Sequence, residues 1–202
     1  GKESIFSIPS GHICTVALFP RLTTGISCNT DSTAQLLGSV IHEFARLKVE
    51  EPGITDDQLQ SKLIESWSLI DDSQGWISQA ALARAKKMLE RFSVFHAKSL
   101  ADNNRTVAAV EKSFEIKVGR ALIRGNVDRI EVDSAGNHFI IDFKTGKNEI
   151  SGEDAKTNLQ LACYQLGVIL DGFEKKLSST QVSGAQLVYL ASKNKSYSTR
   201  DQ

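Results

Sequence analysis

Between Thr33 and Val49, apolar residues recur at helical spacing. Leu37, Val40, Ile41, Phe44 and Leu47 fall on one stripe, and Glu50-Glu51-Pro52-Gly53 ends the run. A second helix is expected over Asp56–Ile70, burying Leu59, Leu63, Trp67 and Ile70, and a longer third over Ser78–Leu100, with Leu82, Ala85, Leu89, Phe92 and Phe95 inward. The pattern then changes. Ser113–Val118, Ala121–Val132 and His138–Thr145 are rich in β-branched and aromatic residues and read as strands, with Ser134-Ala135-Gly136-Asn137 as a hairpin loop. Gly146–Gly152 reads as a loop, and Glu153–Leu170 as a helix burying Leu159, Cys163, Leu166 and Leu170. Gln181–Ala191 reads as a closing strand. Residues 1–34 are less legible: Ile13–Leu18 suggests a short strand and Thr23–Asp31 is rich in turn formers. Helices, a hairpin, a helix and a strand imply an α/β core with a helical N-terminal lobe in one domain. Residues 1–112 would be mainly helical and 113–202 would carry the sheet.

Composition changes this picture little. With 41% hydrophobic residues over 202 positions the chain can bury a sizeable core, and no run approaches the roughly 20 apolar residues of a membrane helix. Gly1-Lys2-Glu3-Ser4 opens no apolar signal segment, and Met88 is the one methionine; a piece of a longer protein is expected, although tag removal leaves the same trace. Cys14, Cys28 and Cys163 are odd in number and form no CxxC pair, as in a reducing compartment, so a cytoplasmic location is expected.

Charge is informative in its distribution. The formal net charge is zero, which counts against unaided capture of nucleic acid. Glu43–Asp72 leans acidic, whereas Arg84, Lys86, Lys87, Arg91, Lys98, Arg105 and Lys112 form a basic stretch. That stretch reads either as a track for phosphates or as the solvated face of a helix.

The hairpin carries the chemistry. If Ala121–Val132 and His138–Thr145 pair around Ala135 without a bulge, Asp128 stands opposite Asp142, their Cβ atoms about 4.5–5.5 Å apart. Like charges so placed destabilise a sheet, and a divalent cation bridging both carboxylates removes the conflict. Lys144, two residues beyond Asp142, shares its face and is placed to stabilise charge on a phosphate or an attacking water. A bland reading stays open, in which Asp128 forms a surface ion pair with Arg129 or Lys144.

Gly125-Asn126-Val127-Asp128-Arg129-Ile130, then Ile140-Ile141-Asp142-Phe143-Lys144-Thr145-Gly146, closely resemble the paired G-x-x-D-R-I and D-[YF]-K-T-G motifs of RecB-type nucleases in the PD-(D/E)xK superfamily. Gln160-Leu161-Ala162-Cys163-Tyr164 resembles the Q-x-x-x-Y motif of that family, and Leu37-Gly38-Ser39-Val40-Ile41-His42 its G-x-x-[VI]-H helix. The likeness extends loosely through Lys86–Phe92 and Glu111-Lys112-Ser113-Phe114. The resemblance implies a restriction-endonuclease-like mixed sheet flanked by helices and a DNA nuclease dependent on Mg²⁺ or Mn²⁺. Asp128, Asp142, Lys144, Gln160 and Tyr164 would be catalytic. His42, Asp128, Asp142 and the Phe143 carbonyl would hold the metal, and Gln160, Tyr164, Arg129 and Thr145 would meet DNA. Gly38 would let a neighbouring strand approach the His42 helix.

Some relatives carry an iron–sulfur cluster on one Cys before the His motif and three near the C-terminus. Nothing after Tyr164 supplies those three, so no cluster is expected here. The implied setting is a helicase–nuclease that repairs DNA breaks in a bacterial cytosol. Its partners would be single-stranded DNA, a helicase motor and a second subunit, and feeding by a motor would accommodate the zero net charge. A catalytically silent DNA-binding module of the same fold and a free-standing RecB-like exonuclease are the rival readings.

Overall fold

A computed structural model describes residues 30–70, 75–102, 104–193 and 196–202. The expected strand over Ile13–Leu18, most of the turn-rich Thr23–Asp31, Cys14 and Cys28 lie outside the described residues, as does the side chain of Ile70. Three helices come first: α1 (Thr30–Glu50), α2 (Asp56–Ile70) and α3 (Trp76–Asp102). The strands are β1 (Thr106–Val118), β2 (Ala121–Val132), β3 (His138–Lys144), β4 (Val182–Tyr189) and β5 (Ser198–Asp201). Helices α4 (Gly152–Lys156) and α5 (Leu159–Ile169) connect β3 to β4.

The five strands form one sheet in the order β1-β2-β3-β4-β5, antiparallel except for the parallel β3–β4 pair. That parallel pair requires a crossover, and α4–α5 supply it. Strand β3, at the centre, is apolar on both faces. Phe139, Ile141 and Phe143 join Leu37, Ile41, Phe44, Leu59, Leu63, Leu89 and Phe92 in a core beneath α1–α3. Ile140 joins Val127, Ile130, Leu161, Tyr164 and Val168 in a second core beneath α5. The amphipathic stripes of α1–α3 therefore bury as their spacing predicts, with Leu47 and Leu82 partly buried at the rim.

Four expectations are corrected. Strand β1 begins at Thr106, so a division at residue 112 runs through a strand. The helix expected over Glu153–Leu170 is broken: Asn158 takes an extended conformation and caps α5 by accepting from the Leu161 N–H. The inward face of α5 is Leu161, Tyr164, Gly167 and Val168. Leu159 is 71% exposed, Leu166 and Leu170 are exposed and Cys163 is half-buried. Both stripes of this helix are apolar, so periodicity had no polar face by which to choose. Strand β5 is short, polar and at the sheet edge, which leaves it no hydrophobic signature.

Candidate active site

The β2–β3 register is the one the hairpin loop implies: Val132 pairs with His138, and the ladder continues through Ile130–Ile140 to Arg129–Ile141. There it stops. Instead of a backbone pair, Asp128 Oδ2 accepts a hydrogen bond from the Phe143 N–H at 2.7 Å. The carboxylate thus satisfies a buried donor that the splayed strands would have orphaned. The N–H and C=O of one extended residue point to the same side, so the Phe143 carbonyl is directed toward Asp128 as well.

Strand parity on β2 breaks at the same place. Val127, paired with Lys112, and Ile130, paired with Ile140, both enter the core beneath α5 although three residues apart. On β1 the break is at Glu111, whose φ of 45° is left-handed, an uncommon conformation for a residue with a Cβ. The regular β1–β2 pairs flank it: Val110 with Arg129 and Lys112 with Val127. Glu111 and Asp128 thus face each other where both strands twist out of pattern. The assumption of an unbulged hairpin holds for register and fails for parity.

On β3, parity is kept and gathers the rest of the site. Asp142 is 2% exposed. The Lys144 ammonium lies 2.7 Å from its Oδ2, as an ion pair without the angle of a hydrogen bond. From α5, Gln160 reaches both: Nε2 donates to Asp142 Oδ1 at 2.9 Å, and Oε1 accepts from Lys144 Nζ at 2.7 Å. Gln160 also donates to the Tyr164 hydroxyl at 2.7 Å. Tyr164 itself is 4% exposed, its ring edge-on to Phe114. Direct contact of Tyr164 with DNA is therefore corrected: burial leaves it to act through Gln160.

From α1, His42 closes the other side. Its Nδ1 lies 3.3 Å from Asp128 Oδ1 and 3.3 Å from Glu111 Oε1. Among the described residues, donor atoms of His42, Glu111 and Asp128 all lie within 4.8 Å of one another, a spacing suited to one cation. The approach of α1 depends on Gly38, where an added Cβ would lie 3.4 Å from Thr145 Oγ1. Glu111 is the site residue that sequence reasoning missed. The signal was present: a two-residue turn at Gly119-Arg120 sets Glu111 opposite Asp128, but β1 had been started too late to include it.

The charges explain the titration of the site. Burial, and then the neighbouring Asp128, push the Asp142 carboxyl up to about 6 against the pull of Lys144. Burial disfavours charge on His42 and on Lys144. Asp128 and Glu111 outweigh it for His42, and Asp142 for Lys144, so both titrate above their ordinary values.

Two expected DNA contacts are placed elsewhere. Arg129 is fully buried, ion-paired with Glu131 and donating to His96 Nδ1 at 2.7 Å, beneath α3. It braces the strand that carries Asp128 and presents nothing to a DNA strand. Thr145 is buried against α1. The basic stretch is divided too: Arg91 is buried and donates to the Leu190 carbonyl, and the Arg105 guanidinium stacks 3.7 Å above the Phe139 ring. Arg84, Lys87 and Lys98 are exposed.

A sequence profile described as the PD-(D/E)XK nuclease superfamily matches residues 15–201. No curated protein matches the chain. Two solved structures are similar at 16% identity. The one described as SSO0001 has a TM-score of 0.35 over 82% of this chain and 65% of its own. Protein VC1899 from Vibrio cholerae has a TM-score of 0.32 over 79% of this chain and 43% of its own. The chain thus spans less than two thirds of either.

Proposed function

Because the chain belongs to the PD-(D/E)XK nuclease superfamily, with its restriction-endonuclease-like α/β fold, we propose that it is a divalent-metal-dependent deoxyribonuclease that hydrolyses phosphodiester bonds. The observation that carries this reading is the convergence of Asp128, Asp142 and Lys144, with Gln160 tying the last two together. Two carboxylates, one buried and lacking a hydrogen bond on Oδ2, fit a hard cation, and the metal-free site holds them only through Lys144 and His42. Asp128, Asp142, His42 and the Phe143 carbonyl would hold Mg²⁺ or Mn²⁺. When bound, the ion supplies Lewis acidity toward phosphate and a lowered pKa for water in its shell.

The chain's own groups have separable tasks. Lys144 holds a positive charge where a scissile phosphate gains negative charge. Its raised pKa keeps that charge at neutral pH. Gln160 fixes the ammonium relative to Asp142 and is the member of the Gln160–Tyr164 pair with access to DNA. A buried anion beside a buried ammonium strengthens every charge interaction at the reacting phosphate.

The finer reading is a RecB-type domain of a helicase–nuclease acting in break repair and recombination. Single-stranded DNA, a motor subunit and a second subunit would be its partners, in a bacterial cytosol. It is supported by the order and spacing of the His42, Asp128, Asp142–Lys144 and Gln160–Tyr164 motifs. Among the described residues, no helix is long and apolar enough to cross a membrane.

The test is chelator-sensitive cleavage of end-labelled single-stranded DNA with Mg²⁺ or Mn²⁺. Asp142→Ala is expected to reduce cleavage by about three orders of magnitude or more, as for loss of a central electrostatic group. Cleavage by Asp142→Ala at the parent rate would sink the assignment.

A further inference from the structure

We propose that Glu111, with His42 and Asp128, forms a second cation position that prefers Mn²⁺ to Mg²⁺, distinct from the position between Asp128 and Asp142. This rests on the metal-dependent reading above and adds a ligand, a location and a selectivity to it.

The argument begins with which oxygens are already committed. Asp128 Oδ2 is bound by the Phe143 N–H, on the Asp142 side, which leaves Oδ1 facing His42. Glu111 is tied in the same way: the Asn126 side-chain amide donates to Oε2, leaving Oε1 facing His42. Asn126 is itself steadied through Ser113 Oγ, 3.1 Å from its Oδ1. Each carboxylate therefore offers one fixed oxygen to a neutral donor and one open oxygen to the same small space. His42 Nδ1 stands 3.3 Å from each open oxygen. Adjacent donors around one ion with bonds of about 2.1 Å lie about 3 Å apart, so the three atoms need little movement to share a cation.

The backbone supports the same conclusion from another direction. A regular β1 would turn the Glu111 side chain with its parity neighbours. The left-handed φ of 45° breaks that alternation and directs the carboxylate to His42. The conformation is costly for a residue with a Cβ, and it brings a like charge against Asp128. Neither cost improves packing. Both are offset if a dication sits between the two groups.

Donor chemistry sets the metal. The Asp128–Asp142 side offers oxygen alone, which suits Mg²⁺ and Mn²⁺ alike. The Glu111 side offers one imidazole nitrogen with two carboxylate oxygens. Nitrogen ligation favours the first-row transition ions over Mg²⁺, and the carboxylates keep Mn²⁺ within range. Asp128 is common to both positions, one oxygen to each.

The experiment counts bound Mn²⁺ by electron paramagnetic resonance on the full 202-residue chain, without DNA. In Asp142→Asn, the oxygen-only position is weakened while the Glu111 position stands. That variant is expected to retain Mn²⁺ that a tenfold excess of Mg²⁺ does not displace. Adding Glu111→Gln should then weaken Mn²⁺ binding by about tenfold or more. Glu111→Gly separates ligation from folding, because glycine accepts a φ of 45° without strain. Its metal-free melting temperature should be no lower than the parent's while the same Mn²⁺ is lost. The inference is overturned if the Asp142→Asn chain binds Mn²⁺ equally well with Glu111 or Gln at 111, or if Asp142→Asn alone removes all bound Mn²⁺. A parent that binds Mn²⁺ and cleaves DNA alongside either result would leave the nuclease reading standing. A parent that neither binds Mn²⁺ nor cleaves would remove both.

Discussion

Gln160 is the side chain on which the geometry of the site turns, since it alone touches Asp142, Lys144 and Tyr164. Gln160→Ala removes two hydrogen bonds to charged groups and should lower kcat by roughly 10- to 100-fold at saturating DNA. Tyr164→Phe removes one neutral acceptor from Gln160 and should cost about fivefold. Steady-state kinetics on one oligonucleotide checks both, and equal effects would mean that Tyr164 does not act through Gln160.

A second residue-scale test concerns His96. Burial, and then the neighbouring Arg129, lower its pKa to about 4, so it stays neutral and accepts from Arg129 Nη1. Between pH 6.5 and 4 the unfolded chain then binds more protons at this position than the folded chain. Stability is therefore lost as pH falls through that window, by roughly 2–3 kcal/mol in all. His96→Gln keeps an acceptor for Arg129 and cannot be protonated. With chelator present, the melting temperature of His96→Gln should fall less than the parent's between pH 7 and 4.5. Parallel curves would count against the assignment.

At the scale of the element, α5 gives the sharpest contrast. Leu161 is fully buried against the sheet, whereas Leu159, two residues away, is largely exposed. Leu161→Ala should cost about 2–5 kcal/mol and Leu159→Ala no more than about 0.5 kcal/mol, read by denaturant unfolding. The reverse ranking would mean that the helix buries the stripe expected from its sequence. Gly125, first residue of the motif that ends in Asp128, has an equally concrete role. A Cβ there would lie 2.7 Å from the Phe114 ring and 3.2 Å from the Tyr164 ring. Gly125→Ala should therefore cost about 1–3 kcal/mol through overpacking. In a domain of this length that lowers Tm by roughly 2–4 °C per kcal/mol.

For the whole molecule, the site is where separate layers meet. His42 comes from the α1–α3 layer, Glu111, Asp128, Asp142 and Lys144 from the sheet, and Gln160 from the layer beyond it. A cation bound there links all three layers and should stabilise the fold as a unit. At 100 times its Kd, Mn²⁺ contributes about 2.7 kcal/mol. The melting temperature should rise by roughly 5–10 °C and return with chelator. A melt indifferent to Mn²⁺ at that concentration would show that the layers do not close around an ion.

Much of this molecule was legible along the chain because its information is local. The stripes of α1–α3 and the register around Ala135 follow from periodicity and turn chemistry, which act over a few residues. The same locality set Asp142 and Lys144 on one face. Other features depend on what lies opposite. Only packing decides which of the two apolar stripes of α5 faces the sheet, and only the α3 layer reveals that Arg129 braces the core. Glu111 joins the site through a backbone conformation that its own sequence does not favour and that contacts distant in the chain hold in place.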